Sequence, residues 1–178
     1  MKHKIKVHSP NTKLPSGKYV ISDPCYMFNS SSDLWSELLD STDSLLYKTT
    51  ERGGIISIDG IKFAVYSTAH GDGGYQDQFF NEYGVDAGCI ACIPVELCIG
   101  DYQDWHQITQ EHQFKSNFKT TGNFQNITGF LKFGHVEICT GGEKDYWRYD
   151  SGDPVLEESI SNYWDKMALK YDVKTKIG

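Results

Sequence analysis

The sequence lacks the motifs that identify several large enzyme classes. It has no Walker phosphate loop, no GxGxxG turn after a strand, no GxSxG nucleophile elbow and no pair of HxT or HxS motifs. The usual signs of phosphate-loop enzymes, dinucleotide-binding enzymes and serine hydrolases are therefore missing. No window approaches the roughly 18 consecutive apolar residues of a membrane span. We expect a protein without a membrane partner, and any reaction it performs has no diagnostic motif.

Regular cysteine spacing and a positive net charge are also absent. The five cysteines, an odd number without regular spacing, are more typical of a reduced protein than of a disulfide framework. The basic first residues are not followed by the apolar run of a signal peptide, so we expect a cytoplasmic protein. The formal net charge of −7 disfavours binding to duplex nucleic acid, which needs several lysine or arginine contacts to phosphates. A small nucleotide in a local pocket is compatible with this charge.

The chain does contain enough apolar sequence for one folded domain. Its 178 residues, 39% hydrophobic and 13% aromatic, are the length of a domain that buries about 70% of its unfolded surface. The clearest element is a hairpin in which Asp59 and Gly60 join strands 55–58 and 61–66, because Asp-Gly between β-rich runs favours a type I′ turn. We predict a single α+β domain over residues 1–178, mostly antiparallel β-sheet of sandwich or barrel type.

Further elements are predicted from periodicity and turn residues. Residues 1–99 form a β-rich part that carries the candidate motifs, and residues 100–178 are expected to form an extension with a hairpin and a C-terminal helix. The predicted strands lie at 2–8, 18–22, 85–93, 95–99 and 130–140, the last paired with 143–149 across a Gly-Gly turn, and the predicted helices lie near 33–40 and near 154–171.

A glycine-rich segment after the second strand of the hairpin is the first candidate site. It places an imidazole, carboxylates and a phenol around a turn. Glycines there let the backbone adopt positive φ and approach a ligand, and exposed amides can bind an anion. The alternative is a structural loop whose polar side chains satisfy only nearby amides. The candidate ligand-binding residues of this segment are His70, Asp72, Gly73, Gly74, Tyr75 and Asp77.

The Asp-Pro-Cys-Tyr segment that starts at Asp23 is the second candidate. A carboxylate at a strand end, followed by a fixed proline turn, can project Asp23 and Tyr26 beside the glycine-rich segment. Asp86 can reach the same place from the start of its own predicted strand, so that three strand ends would build one pocket. In the alternative interpretation, Asp23 only caps its own turn and Tyr26 packs on the short helix.

The same residues were tested against known metal-binding patterns. A calcium loop that starts at Asp72 fails, because Asp77 would occupy the position of the invariant glycine and Tyr83 that of the bidentate glutamate. No cofactor is predicted, although His70 with Asp72, Asp77 or Asp86 could hold a divalent metal.

Two other patterns that suggest metal ligands have simpler interpretations. Cys89 and Cys92 have CxxC spacing, but residues three apart on a strand point to opposite faces, so we expect two buried small hydrophobic side chains. His106 and His112 do not have the two-histidine zinc spacing and are expected at the surface.

The order of these motifs resembles a family of small phage and bacterial proteins with a DPCY corner, a TA-(Tyr or His)-GDG-x-Tyr loop and a VDSG-like strand. The resemblance covers about residues 14–98, and two positions depart from it: His70 stands where tyrosine is expected, and Ala87 where serine is expected. It implies where a site lies and implies no activity.

Three functions are compatible with these observations. We expect a non-catalytic small-molecule binder, in the form of a phage protein in the host cytoplasm that sequesters a nucleotide second messenger used in defence. The first alternative is a metal-dependent hydrolase of phosphoesters, with His70 and an aspartate as metal ligands or as acid and base. The second is an interaction module whose acidic surface inhibits a basic host protein.

Overall fold

The fold is a layered α+β arrangement in which two antiparallel sheets pack face to face. The computed structural model describes residues 3–28, 33–49, 51–69, 71–98, 109–124 and 129–140. The first sheet contains β1 (Ile5–Val7), β2 (Gly17–Ser22), β3 (Gly53–Ile58), β4 (Ile61–Ser67), β7 (Cys89–Pro94) and β8 (Gln110–Phe114), in the order β1-β3-β4-β7-β2-β8. The second contains β5 (Gly73–Asp77), β6 (Glu82–Val85), β9 (Thr120–Asn123), β10 (Phe130–Phe133) and β11 (Val136–Cys139), in the order β6-β5-β11-β10-β9. The prediction of a mostly antiparallel, sandwich-like α+β fold is confirmed.

The two faces of the first sheet bury different cores, as strand alternation requires. Tyr19, Ile21 and Cys92 point toward the second sheet, where they meet Leu131 and Ile138. The opposite face packs on α1 (Pro24–Met27) and α2 (Asp33–Lys48) through a second cluster, whose members include Val20, Ile56, Phe63, Ala91, Ile93, Met27, Leu38 and Leu45. The layers are therefore helices, six-stranded sheet and five-stranded sheet. In the described ranges, no helix is long and apolar enough to cross a bilayer.

Tyr66 belongs to the core between the two sheets and lies against a glycine of each sheet. A Cβ on Gly53 would stand 2.4 Å from Tyr66 Cδ1, and a Cβ on Gly122, in the other sheet, would stand 2.6 Å from the same atom. The ring is fully buried, and its hydroxyl shares a 2.8 Å hydrogen bond with Thr120 Oγ1. The two glycines therefore leave the space that this ring occupies.

The Asp-Gly hairpin is confirmed. β3 and β4 pair antiparallel from Gly53 opposite Tyr66 to Ile58 opposite Ile61. Asp59 and Gly60 both have positive φ, at 51° and 86°, as a type I′ turn requires.

The first of the two predicted helices corresponds to α2 and is longer than predicted. It was expected near 33–40, and α2 continues to Lys48. Thr42, Leu45 and Leu46 are buried at helical spacing after Leu38. Their packing on the sheet therefore outweighs the weak helix propensity of the Ser-Thr-Asp-Ser run.

Three predicted strands were wrong in part. The strand expected at 85–93 begins only at Cys89, as β7, because Val85 ends β6 and residues 86–88 form a bend in which Gly88 has φ +68°. The strand expected at 130–140 is the hairpin of β10 with β11, which turns at Gly134 with φ +56°. The strand expected at 95–99 begins as a short 3₁₀ helix, Val95–Leu97, since Pro94 interrupts the ladder.

Residues expected to form an extension contribute to both sheets. β8 pairs with β2, β11 pairs with β5, and β9 and β10 follow on from β11. The predicted strand 143–149 and the predicted helix 154–171 lie outside the described residues.

Candidate functional site

Asp23 lies at the end of β2, where the sequence placed a candidate ligand-binding carboxylate. The residue is fully buried. Its Oδ1 accepts a 2.8 Å hydrogen bond from the Cys25 amide and so caps α1, a single helical turn that starts with Pro24. Proline suits the first helical position because its missing N–H needs no partner there. The alternative interpretation, that Asp23 caps its own turn, is therefore correct for one of its two oxygens.

The second oxygen of Asp23 reaches across the sheet to a distant turn. Oδ2 accepts hydrogen bonds from the Asp86 amide at 2.7 Å and the Ala87 amide at 2.6 Å, over a separation of more than 60 residues. Consecutive amides of this kind form anion-binding sites in other settings. Here the protein's own carboxylate fills the position that an external anion would take.

Three polar side chains surround this anchor at the surface, and we call Tyr26, Asp72 and Asp86 the acidic rim. The Tyr26 hydroxyl donates a hydrogen bond to the Asp86 carboxylate. Asp72 is exposed, and its Oδ1 lies 3.8 Å from the position that a Cβ on Gly88 would take. Burial, followed by the Asp86 carboxylate, raises the pKa of the Tyr26 phenol, so the hydroxyl keeps its proton. The structure therefore brings together the residues of two predicted segments.

The Cys25 thiol lies beneath the acidic rim, but its surroundings suppress reactivity. Burial raises its pKa first, then a hydrogen bond with Asp23, then the negative charges of Asp23, Asp86 and Asp72. A thiol needs a lowered pKa to act as a nucleophile at neutral pH. The Cys25 thiol therefore keeps its proton at neutral pH.

The glycine-rich loop is held by hydrogen bonds from two side chains, those of Thr68 and Tyr75. Thr68 Oγ1 donates to the carbonyl oxygen of Gly71 at 2.5 Å, and its amide donates to Gly88 O at 3.0 Å. Tyr75, a predicted ligand-binding residue, is 1% exposed, and its hydroxyl donates to Gly71 O at 2.6 Å. The phenol of Tyr75 therefore braces the loop from the sandwich interior.

The other residues of this segment fall into two groups. Gly73 and Gly74 lie in β5, opposite Val85 and Gly84 of β6, and not in the loop. His70 lies outside the described residues.

Asp77 is a structural residue at the far end of β5. It is fully buried. Oδ1 accepts from the amides of Phe79 and Asn81, and Oδ2 accepts from Asn81 Nδ2 at 2.9 Å and from the Tyr83 hydroxyl at 2.8 Å. Asp77 lies four positions along β5 from Gly73, a distance of about 13 Å. The structure does not bring Asp77 to Asp23 and Asp86.

His112 was expected at the surface, and the structure shows it half-buried. It lies on β8, and its Nε2 shares a 3.0 Å hydrogen bond with the Tyr83 hydroxyl. Burial lowers its pKa, the Asp77 charge opposes that effect, and His135 adds to it. The sequence around His112 is polar and has no clear strand pattern, so it gave no indication of the contact with Tyr83. His106 lies outside the described residues.

Cys89 and Cys92 confirm the interpretation of the CxxC spacing. Cys89 belongs to the core beneath the helices and Cys92 to the core between the sheets, so they face opposite ways on β7. Burial raises the pKa of both thiols well above the ordinary value. Within the described ranges, no group of three histidine, cysteine or acidic side chains could hold a metal ion; His70, a predicted ligand, is not among those residues.

A second region, which the sequence reasoning missed, lies at the other end of the same strands. A cleft of about 540 Å³ opens beside the starts of β2 and β4 and the end of β7. All the positively charged residues that line this cleft are lysines, and we call it the lysine cleft. Its charged lining residues are Lys13, Lys18, Lys62 and Glu96. A sequence signal exists, since Lys18 and Lys62 each stand at the start of a predicted strand, but the order of the strands is needed to bring them together.

Comparisons with protein-family models, with curated proteins and with solved structures found no match to this chain.

Proposed function

We propose that the protein is a non-catalytic binder of a small molecule that contacts the acidic rim. The observation that supports this most strongly is the double role of Asp23, which fixes α1 through one oxygen and the turn at 86–87 through the other. Tyr26 and Asp86 stand directly on these two fixed elements. The rim is therefore held in place before a ligand arrives, and a preorganised site loses less free energy to ordering when it binds.

The absence of a catalytic role is proposed from the same contacts. Asp23 and Asp77 are buried carboxylates whose oxygens are already hydrogen-bonded to amides, an amide side chain or a phenol. The thiol of Cys25 is held in its protonated form. A nucleophile next to a general base is the arrangement that covalent catalysis needs, and these three groups do not supply it.

The chemistry of the rim indicates the part of a ligand that it would recognise. Carboxylates accept hydrogen bonds, so Asp72 and Asp86 complement hydroxyl or ammonium groups. A carboxylate that accepts from ribose hydroxyls is a recurring way to hold a nucleoside. We propose that the nucleoside part of a nucleotide messenger contacts the rim, with its phosphates directed away from these negative charges. The sequence resemblance favours a phage origin, and sequestration of such a messenger is the form of this function that fits that origin.

The test is a thermal-shift screen of nucleosides, mononucleotides and cyclic oligonucleotides, with each ligand analysed by mass spectrometry afterwards. A ligand at 100 times its dissociation constant adds about 2.7 kcal/mol, or roughly 5 to 10 °C at this chain length. The proposal predicts a shift with the ligand recovered intact.

Two matched variants decide whether the rim is the site. Asp86→Asn removes a rim charge while keeping an acceptor oxygen, and Glu37→Gln removes one charge on α2, away from both the rim and the lysine cleft. We expect the first to weaken binding at least tenfold and the second to leave it unchanged. Consumption of the ligand would support the hydrolase alternative, and no shift with any compound would contradict the proposal.

A further inference from the structure

The lysine cleft exists because two neighbouring strands stop pairing early. β4 and β7 pair from Ser67 opposite Cys89 to Ala64 opposite Cys92, and the pairing ends there. The next hydrogen-bonding position on β7 is Pro94, which has no N–H to donate. β2 continues alongside β7 as far as Pro94. The cleft is therefore a built feature of the sheet, set by a proline at the end of its central strand.

The charge of this cleft is opposite to that of the whole chain. Three lysines and one glutamate line it, whereas the formal net charge of the protein is −7. Lys18 already pairs with Glu111 at 3.3 Å, and both side chains are largely exposed. Among the ion pairs in the described part of the chain, none involves Lys13 or Lys62. Two ammonium groups therefore face this cavity without a carboxylate partner there.

A neighbouring histidine shows the effect of this positive charge. Burial lowers the pKa of His8, and the charges of Lys62 and Lys6 lower it further. His8 is held near β3 by a 2.7 Å hydrogen bond between its Nε2 and Ser57 Oγ, and Ser57 stands opposite Lys62 in the sheet. An anion beside Lys62 would offset the charge that acts on His8.

The remaining lining residues suit an organic phosphate as well as a bare one. The volume of about 540 Å³ falls in the range of small-molecule sites. Pro15, Pro94 and Val95 provide apolar surface. Asn117 is held in place because its Oδ1 accepts from the Ser16 amide at 3.1 Å. The cleft therefore combines a fixed amide side chain, apolar walls and ammonium groups.

We propose that the lysine cleft is a binding site for a phosphate-bearing small molecule, with Lys13 and Lys62 as its principal charge contacts. The site is separate from the acidic rim, because the two regions lie at opposite ends of β2, β4 and β7. It does not depend on the function proposed for the rim. Lysine is a common phosphate ligand because its ammonium group acts as a point charge with three donors.

The test is isothermal titration calorimetry of the full chain with inorganic tripolyphosphate and, separately, with ATP. We expect saturable binding of one tripolyphosphate per chain at low salt. The affinity should fall when sodium chloride is raised from 50 to 500 mM, because exposed charges are screened over a shorter distance. Tighter binding of ATP than of tripolyphosphate that is weakened by Lys62→Gln would assign the cleft to organic phosphates, and equal binding would assign it to the phosphate chain itself.

Single-lysine variants locate the binding. Lys62→Gln and Lys13→Gln should each weaken tripolyphosphate about fivefold, the upper range for one exposed charge pair. The matched control is Lys48→Gln, which removes the same charge at the exposed end of α2 and should leave the affinity unchanged. Absence of binding to the unmodified chain at millimolar tripolyphosphate would overturn the proposal, and so would an equal loss in all three variants.

Discussion

The acidic rim and the lysine cleft lie at opposite ends of the same three strands and use charge in different ways. At the rim end, the Asp23 carboxylate is fully buried and is bonded to three amides. At the cleft end, Lys13 and Lys18 are exposed and Lys62 is half-buried. Charge at the first end fixes α1 and the turn at residues 86–87, and charge at the second stays available to solvent or a ligand. A cluster of charged residues in a sequence therefore does not by itself say which of these roles it has.

The largest expected effect is the loss of Asp23. Asp23→Ala leaves three buried or half-buried amides without their acceptor, and a hydrogen bond to a charged group contributes about 1.5 to 3 kcal/mol. We expect the free energy of unfolding to fall by about 3 kcal/mol, measured by urea denaturation.

Asp23→Asn is the matched control for that substitution. It keeps the size of the side chain and one acceptor oxygen, so its loss should be smaller. Equal stability of the alanine variant and the unmodified chain would mean that Asp23 does not anchor α1 and the turn at residues 86–87.

Two histidines with oppositely charged neighbours, His8 near Lys62 and His112 near Asp77, allow the effect of local charge to be measured through pH. Burial lowers the pKa of His112 and of His8 below the ordinary value of 6.5; the Asp77 charge opposes this at His112, and two lysines reinforce it at His8. Because each folded-state pKa is lowered, the unfolded chain binds more protons below pH 6.5 and stability falls as the pH drops through that value. His112→Gln should reduce the difference in unfolding free energy between pH 7.5 and pH 5.5. An unchanged difference would mean that His112 does not titrate as its contacts indicate.

Removal of a cleft lysine should have almost no effect on stability. Lys62→Gln should change the free energy of unfolding by less than about 0.5 kcal/mol, as surface substitutions away from buried networks do. The contrast with Asp23→Ala, measured in the same urea series, separates a charge that holds the fold from one that does not. A loss comparable to that of Asp23→Ala would remove the distinction between the two ends.

The smallest expected effect is a change in the pKa of His8 when Lys62 is substituted. Lys62→Gln removes one of the two positive charges that lower the pKa of His8. We therefore expect the pKa of His8 to rise in this variant, measured by NMR titration of its ring protons. The pKa of His112 serves as the internal control, since Lys62 is not among the groups that shift it.

The local parts of this structure could be predicted from the sequence, and the long-range parts could not. The Asp-Gly turn and the strand that ends before Pro24 follow from backbone preferences of single residues. The link from Asp23 to the amides of residues 86 and 87 depends on β2 and β7 being neighbours, although β3, β4 and two strands of the other sheet separate them in the chain. The lysine cleft depends on the same strand order.

The structure brings four of the candidate site residues together and places two others in the interior. Asp23, Tyr26, Asp72 and Asp86 come together at one sheet end, as the three-strand hypothesis required. Tyr75 and Asp77 instead serve the interior. Alternation along β5 places both on the buried side, and a strand starting at Gly73 was not predicted because two adjacent glycines suggest a loop.

The most direct test of the difference between the two ends is an amide-resolved NMR titration of the full chain with inorganic tripolyphosphate. The sequence alone would place an anion on the amides of the glycine-rich segment. In the structure, the Asp23 carboxylate already accepts hydrogen bonds from the amides of the neighbouring turn. We predict chemical-shift changes at Lys13, Gly17 and Lys62, with little change at residues 71–74 and 86–88. Changes confined to residues 71–74 and 86–88 would contradict the account, because an external anion would then occupy the end that the protein's own carboxylate is proposed to fill.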